Sequence, residues 1–339
     1  MPGVGPGSEI SIARYLIGAL AARSVSVRRL DKLGGGAIQE NYALEVEVSG
    51  GPHAGLQKLV LRTDAPSGVA LSHSRAQEYA LLQAAHAAGV TVPAPLALCT
   101  DKAIIGRPFY VMKRVGGTAA GHLLVRDDRW TGDRAVLAQR LGRELAKIHT
   151  IRPPRADLAF LPMPGQPPAL EAVASYRAWL DTYRAPRPAL EWGLRWLERH
   201  APVKADFVLS HRDFRTGNYM VDEQGLTGIL DWEFAGWGDR HEDIGWFCAR
   251  CWRFGTNRRE AGGIGERADF IAGYEVESGM KVEAEAVRYW ETMAHARWAT
   301  IALQQGERHV SGAEPSLDLA LTGRRIAELE YQLMRMTPP

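Results

Sequence analysis

In Ser210-His211-Arg212-Asp213-Phe214-Arg215-Thr216-Gly217-Asn218, an aspartate follows His-Arg and an asparagine stands five positions later. Downstream, Gly228-Ile229-Leu230-Asp231-Trp232-Glu233 ends an apolar run on a second aspartate. These residue types at this spacing suit phosphoryl transfer. Asp213 can orient an attacking hydroxyl and accept its proton. Arg215 is placed to stabilise charge on the transferring group. The amide oxygen of Asn218 and the carboxylate of Asp231 can hold Mg²⁺ against a triphosphate. His211 and Arg212 read as braces for the loop, and Glu233 as a group reaching a metal through water.

Local elements must bring these side chains into place. Phe207–Ser210 reads as a short buried strand that delivers the loop. Asn218–Val221 and Leu226–Leu230, separated by Asp222-Glu223-Gln224-Gly225, read as a hairpin. Asn218 enters one arm and Asp231 leaves the other, so both oxygen ligands belong to its open end. Asp239 and Asp243 are expected to tie the following segment to the catalytic loop.

The first third of the chain carries the features that suit a nucleotide. Ser8 or Ser11 is expected to cap a short first helix. Gly34-Gly35-Gly36 leads through Asn41 into a strand with Tyr42, Leu44, Val46 and Val48 on one face. Glycine lets backbone amides approach phosphates closely, which nominates Gly35, Gly36 and Asn41. Alone, such a loop also fits an ordinary turn. In Lys58-Leu59-Val60-Leu61-Arg62, alternation puts Val60 and Arg62 on one face, with Lys58 as the competing cation. This is the layout of a protein-kinase β3 strand, with Val60 over the adenine and Arg62 at the phosphates. A helix over 72–88 carries Glu78, the expected ion-pair partner of that cation. Strands at 96–99 and 108–112 then run into a linker, where backbone groups near Met112 to Arg114 are expected to bond the adenine.

From Arg134 onward, Leu137, Leu141, Leu145 and Ile148 recur at helical spacing. His149 closes that helix and reads as structural. Cys248-Ala249-Arg250-Cys251 lacks a second cysteine pair and reads as core packing, not a zinc or redox site. Val287, Trp290, Ala294, Trp298 and Ile301 form a later stripe that packs a core or lines the acceptor pocket.

The whole chain has 339 residues, 46% hydrophobic, with 41 basic and 39 acidic side chains. Interspersed charge at a formal net of +2 gives no case for nucleic acid. Three cysteines are too few for a disulfide framework, and no apolar run approaches a membrane span. Met1 to Ser8 has no basic region leading to an apolar core, so a cytoplasmic location without membrane association is expected.

Ser210–Asn218, Leu230–Glu233 and Gly238-Asp239-Arg240-His241-Glu242-Asp243 resemble the aminoglycoside phosphotransferase and choline kinase-like family. The branch most resembled is the phosphotransferase-like domain associated with acyl-CoA dehydrogenases, in which Leu-Arg is common where Arg62 stands. The resemblance implies an α+β, two-lobed protein-kinase-like fold, with an antiparallel N-lobe sheet plus helix and a mostly helical C-lobe. The expected division is 1–112 for the nucleotide lobe, 113–117 for the hinge and 118–339 for the catalytic and acceptor lobe. It implies ATP, or GTP, and Mg²⁺, and a small-molecule hydroxyl acceptor such as a hydroxyacyl thioester or hydroxy acid. Two departures stand out: His-Arg-Asp replaces the commoner His-Gly-Asp, and Arg240-His241 replaces a usual proline. A nucleotide-binding pseudokinase, motivated by the absent β3 lysine, is the alternative from another class. An aminoglycoside-type enzyme is disfavoured, because a polycationic acceptor needs a concentration of carboxylates that the C-terminal third does not show. A protein kinase is disfavoured by the lack of Asp-Phe-Gly and Ala-Pro-Glu around an activation segment.

Overall fold

The computed structural model describes Val4 and residues 7–34, 39–65 and 72–338; the nominated Gly35 and Gly36 lie outside the described residues. The chain begins with α1 (Ser8–Ala19), β1 (Ser24–Lys32), β2 (Gln39–Ser49), β3 (Gly55–Asp64) and α2 (Arg75–Ala87). Next come β4 (Pro95–Cys99), β5 (Phe109–Lys113), α3 (Gly121–Arg126), α4 (Asp128–Thr131) and α5 (Arg134–Ile148). After α6 (Pro168–Leu180) and α7 (Pro188–Arg199) follow β6 (Phe207–Ser210), β7 (Tyr219–Asp222), β8 (Gly225–Ile229) and β9 (Gly236–Asp239). The remainder is helical: α8 (Arg240–Cys248), α9 (Arg267–Ser278), α10 (Ala284–Val310), α11 (Leu317–Gly323) and α12 (Ile326–Met336).

Two compact units result. The first combines Met1–Thr118 with Pro154–Phe160 and Tyr219–Ala235; the second combines Ala119–Pro153, Leu161–Asn218 and Gly236–Pro339. The break at Thr118 falls beside the linker placed at 113–117, and two later segments return to the first unit.

In the first unit, five strands form an antiparallel sheet in the order β1-β2-β3-β5-β4. Period-two alternation buries Tyr42, Leu44, Val46, Leu59, Leu61, Phe109 and Val111 together with Ile12 and Leu16 of α1. α1 starts after Gly7 with no side-chain cap, so neither Ser8 nor Ser11 fills the predicted capping role. α2 begins later than expected, because the side chain of Ser74 accepts from the amide of Gln77 and completes a capping box. The β7–β8 hairpin is fastened by a Thr118↔Val221 bridge and by the Ile229 amide donating to the Thr91 carbonyl at 2.8 Å. Gly117 makes the bridge possible: its φ is 100°, and a Cβ there would sit 2.2 Å from the Val221 carbonyl oxygen.

The second unit is built on helices. α5 and α9 cross so closely that a Cβ on Gly142 would lie 2.0 Å from the Phe270 carbonyl oxygen. Its core gathers Leu190, Leu194, Trp246, Trp252, Trp290, Met293 and Ala294 around α10. The expected stripe therefore divides: Val287, Trp290 and Ala294 are core, while Trp298 and Ile301 are half-buried. β6 pairs with β9, which sets the 211–218 loop beside α8, where Asp243 accepts the His211 amide. Among the described residues no helix is long and apolar enough to cross a membrane.

Candidate active site

In the first unit, Arg62 lies at the centre of a buried ionic cluster. β3 pairs Val60 with Met112 and Arg62 with Tyr110 and Asn41, so these residues line the face opposite the apolar core. Arg62 Nη2 is 2.8 Å from Glu78 Oε1 and 2.5 Å from Asp231 Oδ1. Glu78 also bonds Arg75, one helical turn earlier, and Arg75 Nε reaches Asp64 at 2.9 Å. Burial alone would lower the Arg62 pKa, but the Glu78 charge, with smaller help from Asp231, holds it well above the usual range. Lys58 is exposed near the start of the same strand. Asn41 Oδ1 is buried without a hydrogen-bond partner among the described residues, an unfilled acceptor beside this cluster.

Asp231 adopts a left-handed backbone, with φ of 68°. Glu233 is buried and accepts from Gln39. Burial, then the neighbouring Asp231 charge, pushes its carboxyl up to about 8. Glu233 thus behaves as a group bound into the scaffold through Gln39. Two amides in the stretch expected to meet the adenine are bonded within the protein. Lys113 N–H donates to the Ala94 carbonyl at 2.9 Å and Arg114 N–H to the Lys58 carbonyl at 3.0 Å. Sheet pairing has claimed both donors, and the Arg114 side chain is exposed.

The second unit carries the loop from His211 to Asn218. Asp213 Oδ2 accepts from Asn218 Nδ2 at 2.5 Å, and the same Nδ2 reaches the Asp213 carbonyl at 2.9 Å. Arg215 Nε donates to Asp213 Oδ1 at 3.1 Å, and its guanidinium lies 4.6 Å from the centre of the Trp252 ring. The loop is anchored from below by Asp243, which is fully buried. Asp243 takes the amide of His211 at 2.6 Å and that of Arg212 at 2.7 Å. Burial would raise its pKa, but the His149 contact at 3.3 Å and the His211 interactions outweigh it and hold the carboxyl low. His149 also meets the Tyr274 hydroxyl at 2.9 Å, consistent with a structural part.

Asp239 does a different job from the one expected. Its carboxylate caps α8 through the His241 amide at 2.8 Å and takes the Asp206 amide at 3.3 Å, so only Asp243 holds the loop amides among these two. Burial pushes the thiols of Cys248 and Cys251 up to about 12, as expected of packing residues.

A hard cation such as Mg²⁺ takes oxygen donors. Asn218 has turned its amide hydrogens to Asp213, which leaves Oδ1 as a hard oxygen ligand, and Asp231 supplies a carboxylate. Asn218 belongs to the second unit, while β8 leads on to Asp231 within the first. Among the described residues no group of three or more His, Cys, Asp or Glu could cage a metal. A magnesium ion shared with phosphates does not need such a cage, so the residues fit. Sequence reading missed Arg75, Gln39 and Trp246. Arg75 was detectable as an i, i+3 neighbour of Glu78; nothing local marks Gln39 or Trp246.

An antiparallel sheet with its helix, followed by a helical part holding an His-Arg-Asp…Asn loop, defines a protein-kinase-like phosphotransferase. The phosphotransferase enzyme family model matches residues 29–285, and the chain belongs to that family. Mouse acyl-CoA dehydrogenase family member 10 is 28% identical over 250 residues, covering 70% of this chain and 22% of that protein. Rat acyl-CoA dehydrogenase family member 11 is 26% identical over 307 residues, 84% of this chain and 38% of that protein. The chain thus spans well under half the length of these curated relatives. Among solved structures, a Ralstonia eutropha protein with a provisional aminoglycoside phosphotransferase name has a TM-score of 0.76 at 20% identity, covering 97% of this chain and 99% of that one. A spectinomycin phosphotransferase solved with ADP and spectinomycin has a TM-score of 0.62 at 13% identity, covering 96% of this chain and 98% of that one.

Proposed function

We propose that the chain transfers the γ-phosphoryl group of ATP to a hydroxyl of a small molecule. The observation that carries this is the Asp213 carboxylate, held by Arg215 and by an Asn218 amide whose oxygen is left free for a metal. Asp213 orients the acceptor hydroxyl and takes its proton as the new P–O bond forms. Arg215 stabilises charge on the transferring group. Asn218 and Asp231 would hold Mg²⁺, and the chemistry it would supply is positive charge against the phosphates. Arg62, steadied by Glu78, binds phosphates; Val60 and Met112 supply the apolar surface for the base, with Asn41 beside the phosphates, and Gly35 and Gly36 keep their phosphate-binding assignment from the sequence alone. In this reading residues 1–112 serve the nucleotide and 118–339 serve catalysis and the acceptor.

The acceptor class that fits the relatives' acyl-CoA dehydrogenase names is a hydroxyacyl thioester or hydroxy acid. A screen of ATP consumption with Mg²⁺ over hydroxyacyl-CoAs, hydroxy acids, choline-like amines and aminoglycosides tests this. Turnover with one class that Asp213→Ala abolishes supports the reading. Wild type indistinguishable from Asp213→Ala on every class defeats it. The contact between Arg62, standing where lysine is usual, and the magnesium ligand Asp231 favours a second reading, a nucleotide-binding module without transfer. A thermal shift with ATP and Mg²⁺ but no turnover would select it.

A further inference from the structure

Asp213 has a third hydrogen bond that neither its loop nor the mechanism above supplies. The indole Nε1 of Trp246 donates to Asp213 Oδ1 at 3.1 Å. Arg215 and Asn218 belong to the same loop as Asp213, so they move with it. Trp246 stands on α8, whose first turn is capped by Asp239 and whose Asp243 holds the loop amides. Gly245 allows α8 to press onto α10, where a Cβ would lie 2.6 Å from Trp290 backbone and side-chain atoms.

The ring of Trp246 is fixed on its faces as well. The Arg297 guanidinium from α10 lies 4.5 Å from the ring centre, and Trp252 packs at 5.0 Å on another side. Arg297 Nη1 in turn donates to the Arg212 carbonyl at 2.7 Å, which ties the clamp back to the catalytic loop. Trp246 is 3% exposed, so its only polar atom is desolvated and has Asp213 as its acceptor. An indole nitrogen can only donate, so it holds a carboxylate oxygen that accepts.

We propose that Trp246 is a positioning residue for phosphoryl transfer: its N–H holds the Asp213 carboxylate in orientation from the α8–α10 pair, with Arg297 locking the ring. The inference rests on Asp213 as the proton acceptor. When Arg215 turns toward the transferring group, its bond to Oδ1 is given up and the indole still holds that oxygen.

Trp246→Phe keeps the ring and removes the donor. The chain has ten tryptophans, so an ¹⁵N indole spectrum is sparse, and the resonance absent from Trp246→Phe identifies Trp246. That resonance should be displaced in Asp213→Asn, where an amide replaces the carboxylate that accepts from the indole. A resonance that Asp213→Asn leaves unchanged overturns the proposal, with or without any acceptor in hand. In turnover of Mg-ATP with a hydroxybutyryl-CoA, or with water as acceptor, Trp246→Phe should lower kcat about tenfold, the order of one hydrogen bond to a charged group. KM for ATP should stay unchanged. A lower unfolding midpoint with kcat as in the wild type would mean packing alone and also overturns it. Asp213→Asn turning over at the wild-type rate defeats the proton-acceptor reading instead, a result the indole spectrum distinguishes.

Discussion

Asp243 splits its carboxylate between two consecutive amides, His211 on Oδ2 and Arg212 on Oδ1, from within the core of the second unit. The catalytic loop is thus hung from α8 by two charge-assisted bonds with no solvent to replace them. Asp243→Asn should cost about 2–4 kcal/mol, because one amide then faces an NH₂ donor and loses its partner. Urea unfolding measures this. Turnover should fall by about a hundredfold or more as the loop loses its register, and a variant as stable and active as the wild type would contradict the anchoring role.

Arg62, Glu78 and Asp231 form a second test. Arg62→Met leaves two buried or half-buried carboxylates without their shared cation, which should destabilise the protein by about 3 kcal/mol. Arg62→Lys restores the charge but not the forked contacts, so it should be more stable than Arg62→Met yet weaken ATP binding about tenfold. The thermal shift produced by Mg-ATP reads both effects.

Arg212 has φ of 62°, in the left-handed region where glycine is at ease. This explains physically why His-Gly-Asp is the commoner form of the motif. The arginine offsets that strain with a 2.9 Å bond from Nη2 to the Trp237 carbonyl. Arg212→Ala loses the bond and keeps the strain, whereas Arg212→Gly loses both. Glycine should therefore be more stable than alanine here by about 1 kcal/mol, reversing their usual order. Equal or opposite unfolding free energies would show that the loop does not carry this strain.

Much of the site was legible because phosphoryl transfer fixes residue types at short spacings. Asp213 and Asn218 lie within one loop, and alternation alone put Val60 and Arg62 on the face away from Leu59 and Leu61. The hairpin over 219–229 followed from its polar turn, and Asp243 as the loop's tie from its place after the second motif. What escaped depends on packing between distant segments. Trp246 reaches Asp213 across 33 positions of sequence, and Gln39 reaches Glu233 across 194, and no local pattern encodes such pairs. The use of the Lys113 and Arg114 amides within the sheet was hidden for a related reason: strand composition does not say which amides the neighbouring strands will claim. The return of 219–235 to the first unit, beside which Gly117 lets the chain approach Val221 closely, is likewise a long-range packing feature.

His295 supplies a pH dependence independent of catalysis. It lies inside α10, 1% exposed, with Nδ1 2.7 Å from the Glu291 carbonyl and Nε2 buried without a partner among the described residues. The carbonyl can only accept, so Nδ1 carries the proton and the ring is neutral. Burial, with Arg253 and Arg250 nearby, pushes its pKa down from 6.5 to about 4, against smaller raising effects from Glu291 and Glu328. The folded state therefore resists protonation that the unfolded state accepts. The contribution is fully present above pH 6.5 and is lost as pH falls toward 4, amounting to about 3 kcal/mol over that window. Unfolding free energies measured by urea across this range should decline toward acid. His295→Gln, which can still donate to the Glu291 carbonyl but does not titrate, should flatten that decline by about the same amount, and a variant with the wild-type slope would place the acid sensitivity elsewhere.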